Sequence, residues 1–141
     1  MPSQTLVIRL DASGDPAPAL IDRLEAFTET AALSPRTAHR LTLVCEELAT
    51  NVAMHGSGGA DGATYIEVTV DRFPDHVAVT VEDDGRPFDP LGLAAPDTSL
   101  ALDEREIGGL GIHLVRNLVR SIAYERRAGC NRLSAVLDVD G

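Results

Sequence analysis

The chain contains no lysine: all 12 of its basic residues are arginine, set against 22 acidic residues for a formal net charge of −10. A P-loop, the lysine-centred ion pair of a protein-kinase fold and Schiff-base chemistry each need a lysine, so three large enzyme classes are excluded on composition. So acidic a surface repels a phosphate backbone unless the arginines cluster tightly, and nucleic acid is not an expected partner. No run approaches the roughly 18 apolar residues that a membrane span needs, and Met1 to Leu10 alternates rather than forming an apolar signal core. The expectation is a cytoplasmic protein with no membrane partner. Cysteine is scarce as well. Cys45 and Cys130 are neither paired closely enough for a zinc site nor dense enough for a disulfide scaffold, and are expected to be two reduced, buried thiols.

What the chain does have is 141 residues that are 44% apolar, enough for one domain that buries about two-thirds of the surface its unfolded chain exposes. A single domain over 1–141 is expected. Gln4 to Leu10 reads as a first strand, after which Leu20, Leu24 and Phe27 recur at helical spacing. A second helix is predicted over about 35–55, with Ser34 as N-cap, Pro35 at the first helical position, and Leu41, Val44/Cys45, Leu48 and Val52 as its apolar stripe. Ile66, Val68 and Val70, then Val77, Val79 and Val81, alternate with other residues and predict a strand hairpin. Residues 85–107 carry several prolines and glycines and no sustained period, the mark of a functional lid or a disordered segment. Gly108 to Gly111 then leads into a third helix through Ile112, Val115 and Val119, and strands are predicted near 121–127 and 131–139. The pattern is α+β: a two-layer sandwich with helices on one face of a mainly antiparallel sheet.

Three groups of residues sit where a purely structural pattern would not put them. Along the second helix Glu47, Asn51 and His55 form an i, i+4, i+8 row at the edge of the apolar stripe, while Glu46 and Thr50 fall on the far side. A carboxylate and an amide one turn apart suit a hard cation such as Mg²⁺, or a water held for general-base use; a solvated helix edge explains the same row. In the second hairpin strand the period of two puts Asp83 on the face of Val77, Val79 and Val81. Such a carboxylate either ends the strand in water or accepts specific hydrogen bonds in a pocket. The third group is Gly108-Gly109-Leu110-Gly111 ahead of a helix, where missing Cβ atoms and free N–H groups favour phosphate.

Read in order, E-E-L-A-T-N-V-A-M-H-G at 46–56, V-E-D-D-G-R-P-F at 81–88 and G-G-L-G-I-H-L-V at 108–115 resemble the N, G1 and G2 boxes of the GHKL ATP-binding superfamily. The chain's brevity and the closing Y-E-R-R-A-G-C-N-R-L at 124–133 resemble the bacterial anti-sigma factor serine kinases of the RsbW type. The resemblance implies ATP and Mg²⁺ as cofactors, Asn51 as the Mg²⁺ ligand and Glu47 as the base that activates an attacking hydroxyl. Asp83 would accept from the adenine amino group, Gly85 would let the backbone pass the base, and residues 86–107 would be the ATP lid. The N–H groups of Gly109, Leu110 and Gly111 would cradle phosphate, and His55 and Gly56 would be structural. Implied partners are a STAS-domain anti-anti-sigma protein and a sigma factor, and relatives of this type commonly pair as homodimers. A rival expectation is a module that binds ATP and sequesters a regulator without transferring phosphate. Two departures stand out: Pro87 replaces a glycine common in the lid, and Cys130 replaces a common threonine after Gly129, which counts against contact between the last strand and the nucleotide.

Overall fold

The computed structural model describes residues 1–56, 62–92 and 107–139. Strand β1 (Gln4–Asp11) leads into α1 (Ala17–Thr30) and α2 (Pro35–Asn51), followed by the hairpin β2 (Tyr65–Arg72) and β3 (His76–Asp83). Helix α3 (Ile107–Leu118) and the hairpin β4 (Ser121–Arg127) and β5 (Cys130–Asp138) complete the chain. The sheet order is β1-β2-β3-β5-β4, and all four pairings are antiparallel. The expected α+β sandwich is present, with no parallel pairing among the described residues. The reason is topological: β3 and β4, joined through α3, run the same way, but β5 folds back between them and pairs with both.

The capping chemistry read from the sequence operates as expected at α2, where the Ser34 hydroxyl accepts from the Thr37 N–H at 3.1 Å and Pro35 opens the first turn. The β4–β5 turn is built by Ala128 and Gly129, both at positive φ, the pairing that the right-handed twist of a two-residue hairpin demands. One face of the sheet is packed by α1 and α2, and α3 lies against α2. Ile66, Val68, Val70, Val77 and Val79 are wholly buried there against Leu20, Leu24, Leu41 and Leu48, each contributing about 1.5–3 kcal/mol relative to an exposed position. Cys45 lies in this core, and burial pushes its thiol pKa up to about 12. Cys130 departs from expectation: it is only part-buried, because it faces the other side of the sheet, beside the Tyr65 hydroxyl at 3.5 Å.

Two elements differ from the predicted boundaries in ways that shape the site. The helix predicted to run to 55 stops as an α-helix at Asn51, and residues Val52–Gly56 continue as a wider π turn, a form that clusters at functional positions. The α-helical period that relates Glu47 to Asn51 therefore ends at Asn51; the side chain of His55 lies outside the described residues. Helix α3 begins at Ile107, ahead of the glycine run rather than after it. Each glycine costs about 1 kcal/mol relative to alanine in a helix, offset here by burial of Ile112 and Val115 against the core. Among the described residues no helix is long and apolar enough to cross a membrane.

Candidate functional site

Asp83 ends β3 on the buried face, as the period-two count requires, and is 4% exposed. Its Oδ1 accepts from the Gly85 N–H at 2.9 Å and from the Asn131 amide Nδ2 at 3.0 Å. Its Oδ2 has no donor among the described residues. Burial raises the Asp83 pKa, while the bonds from Asn131 and Gly85 and the nearby Arg126 charge pull it back. Asp84 turns away, receiving the Thr64 N–H at 2.7 Å and the Thr64 hydroxyl at 2.5 Å. Gly85 is held on both sides, because its carbonyl accepts from the Arg126 guanidinium at 2.7 Å.

Asn131 is the site residue that reading the motifs missed. It is 4% exposed and stands opposite Asp83 in the β3–β5 register. Its amide donates to Asp83 and, at 2.7 Å, to the Arg86 carbonyl, and accepts the Tyr124 hydroxyl at 2.5 Å and the Phe88 N–H at 3.1 Å. All four hydrogen-bonding positions of the side chain are filled. The signal was available: counting inward by twos from Leu137, Ala135 and Leu133 lands on Asn131, the same reasoning that singled out Asp83. The last strand therefore does reach the site, through Asn131, while Cys130 beside it faces the opposite side of the sheet. Pro87 sits between the two backbone groups that Asn131 clasps, where its fixed φ suits a short, pinned segment.

Asn51 and Asp83 come together across a closed cavity of about 10 Å³, lined also by Asn131, Phe88, Pro90 and Leu133. That is room for about one water. The Asn51 amide Nδ2 is buried with no partner among the described residues, and an orphaned polar group in such a place costs about 1–3 kcal/mol until a ligand meets it. Donor and acceptor chemistry thus fits a polar ligand, while the cavity as it stands admits no more than about one water. A wider groove of about 420 Å³ opens between Thr64, Asp84, Arg86 and Arg126 but is not lined by Asn51 or Asp83.

Glu47 is half-buried one turn before Asn51, and its carboxyl pKa is raised by burial first and by the neighbouring Glu46 charge second. Its carboxylate rests directly on Gly111: a Cβ at that glycine would overlap Glu47 Oε2 and lie 3.5 Å from Cδ. Any side chain at 111 would displace the carboxylate from this position. Because α3 starts at Ile107, Gly109 falls in the first turn, whose N–H groups have no partner within the helix. Gly111 lies further in, where the helix takes up the N–H, which corrects the expectation that its N–H is free for phosphate. Of Gly109 and Leu110 only the helical backbone is described. Of the expected lid, Phe88 and Pro90 line the cavity, and the segment is held to α3 by the Arg116 guanidinium on the Leu91 carbonyl at 2.9 Å; 93–106 fall outside the described residues.

An antiparallel sheet layered with three helices, a buried acid on the third strand, and an orphaned amide facing it define a ligand-binding domain of the GHKL type. Residues 11–137 match the histidine kinase-like ATPase domain, and the chain belongs to that family. It is 28% identical over 134 residues to the serine/threonine-protein kinase BtrW of Bordetella bronchiseptica, covering 95% of this chain and 94% of that one. Its fold is similar to the histidine kinase domain of the blue-light activated histidine kinase EL346 of Erythrobacter litoralis, with a TM-score of 0.53 at 16% identity. That alignment covers 92% of this chain and 65% of the other. The ligand that the family implies is ATP.

Proposed function

We propose that the protein is an ATP- and Mg²⁺-dependent serine/threonine kinase that phosphorylates a STAS-domain anti-anti-sigma protein and, in its alternate state, sequesters a sigma factor. The observation that carries the reading is the Glu47 carboxylate, held half-buried against α3 one turn from Asn51. A domain that only binds nucleotide has no use for a base in that position. Similarity to a protein named as a serine/threonine kinase along nearly its whole length supports the same reading.

Each residue then has a task. Asp83 presents Oδ2 to the amino group of the base, and Gly85 lets the backbone pass close to the ring. Asn51 is the residue placed to hold Mg²⁺; half a turn of its amide about χ2 brings Oδ1, the atom that a hard cation takes, to where Nδ2 now stands. Bound Mg²⁺ supplies charge neutralisation on the phosphates. The start of α3 at Gly109 offers N–H groups to an anion. Glu47 accepts the proton of the incoming serine or threonine hydroxyl, a task for which a raised pKa matches it better than an ordinary glutamate. Phe88 and Pro90 then exclude water from the base.

The test is transfer of radiolabelled γ-phosphate from ATP to the STAS-domain proteins of the same cell, with Glu47→Gln beside the unaltered chain. ATP is expected to raise the melting temperature of both by mass action, more with Mg²⁺ than without. Label is expected on serine or threonine of a partner only with Glu47 present. Binding without transfer to any of these proteins overturns the kinase reading in favour of an ATP-binding sequestering module.

A further inference from the structure

Asn131 lies outside the three nucleotide boxes, yet it is the most completely bonded side chain of the site. Its two backbone partners fix its orientation, since the Arg86 carbonyl can only accept and the Phe88 N–H can only donate. Turned end for end, the amide would set its oxygen against both that carbonyl and Asp83, and its NH₂ against the Phe88 N–H. The Tyr124 hydroxyl holds the same orientation from the edge strand. Asp83 Oδ1 therefore always receives the Asn131 NH₂, alongside the Gly85 N–H. Both donors converge on one oxygen, and Oδ2 is left as the acceptor.

We propose that Asn131 is a positioning residue that sets the base selectivity of the site: by fixing which oxygen of Asp83 is committed, it keeps Oδ2 ready for an exocyclic amino group. This rests on the nucleotide reading above and adds to it a residue outside the recognised boxes. The same amide clasps residues 86–88, so the acid that reads the base and the root of the segment covering it form one hydrogen-bonded unit. Without the Asn131 donor on Oδ1, Asp83 rotates about χ1 and χ2, and its preference for an amino donor fades.

The test uses the full chain with Mg²⁺ and two probes, ATP and purine riboside triphosphate, which lacks only the 6-amino group. The unaltered protein is expected to prefer ATP by about 10- to 150-fold, the range of a hydrogen bond to a charged acceptor. In Asn131→Ala the ratio is expected to fall to within about threefold of unity, chiefly through weaker ATP binding, whereas a merely structural role lowers both affinities alike and leaves the ratio unmoved. Asn131→Thr keeps a hydroxyl to donate to Asp83 and loses the clasp on residues 86–88, so its ratio is expected to stay near the unaltered value even where both affinities drop. An unmoved ratio in Asn131→Ala overturns the inference, as does loss of discrimination in Asn131→Thr, which answers alone if the alanine variant does not fold. Failure of the unaltered protein to bind ATP overturns the nucleotide reading itself and the inference with it; binding with an unmoved ratio overturns the inference alone.

Discussion

Gly111→Ala is expected to make the protein more stable and less active at once. The glycine lies inside α3 and not at a positive-φ position, so alanine fits the backbone and gains up to about 1 kcal/mol of helix propensity. The new Cβ overlaps Glu47 Oε2, the far end of a flexible side chain, so the carboxylate and not the helix gives way. It must retreat by roughly 1 Å to regain an ordinary carbon–oxygen separation. Swinging outward also relieves the burial that raises its pKa, which adds to the stability of the folded state. Displacement by that much costs a positioned catalytic group about 10²-fold, within the 10²–10⁴ that a general base typically supplies. Three measurements decide it: melting temperature, expected to rise by about 3 °C; ATP affinity, expected to hold within about threefold because the carboxylate does not touch the base site; and phosphate transfer to the STAS partner, expected to fall about 100-fold. Undiminished transfer refutes the reasoning. So does a lower melting temperature, which would mean that the packing of α2 on α3 gave way instead of the carboxylate.

Glu47→Gln is expected to melt higher than the unaltered protein at neutral pH. A carboxyl whose pKa is raised by folding keeps its proton after the unfolded chain has shed its own, so stability falls as pH rises from about 4.3 and the penalty is complete above the folded pKa. The gain from glutamine should vanish below about pH 4, and equal melting temperatures at pH 7 would refute the assignment. By the same shift, the acid limb of the transfer rate should lie above the titration of an ordinary glutamate, as a pH profile will read. Asp83→Asn preserves the oxygen that receives Gly85 and Asn131 but puts NH₂ where Oδ2 stood; it is expected to keep the melting temperature and weaken ATP binding by about 10- to 150-fold, and unchanged titration calorimetry would remove Asp83 from the site. Ser34→Ala removes the α2 cap and is expected to cost about 1 kcal/mol in chemical denaturation without altering ATP affinity.

Much of the fold was legible because its signals are local. Alternation in Val77, Val79 and Val81 and the Ser34-Pro35 cap are consequences of two periods and one capping geometry, and they place β3 and the start of α2 without reference to the rest of the chain. The same counting put Asp83 on an apolar face, against the pattern that the sequence itself establishes, and aligned Glu47 with Asn51 along the edge of the α2 stripe. Tertiary structure alone decided the rest. That Asn131 faces Asp83 follows from β5 folding back between β3 and β4, a pairing of residues 48 positions apart that no local period encodes. That the Glu47 carboxylate lies against a glycine at 111 follows from the packing of α2 on α3, and that the cavity between Asn51 and Asp83 closes to about one water follows from where Phe88 and Pro90 come to rest. Composition and periodicity determine which face of each element is buried; which buried polar groups meet is settled only when those faces are brought together, because hydrogen bonds act over about 3 Å and neighbours at that range come from distant parts of the chain.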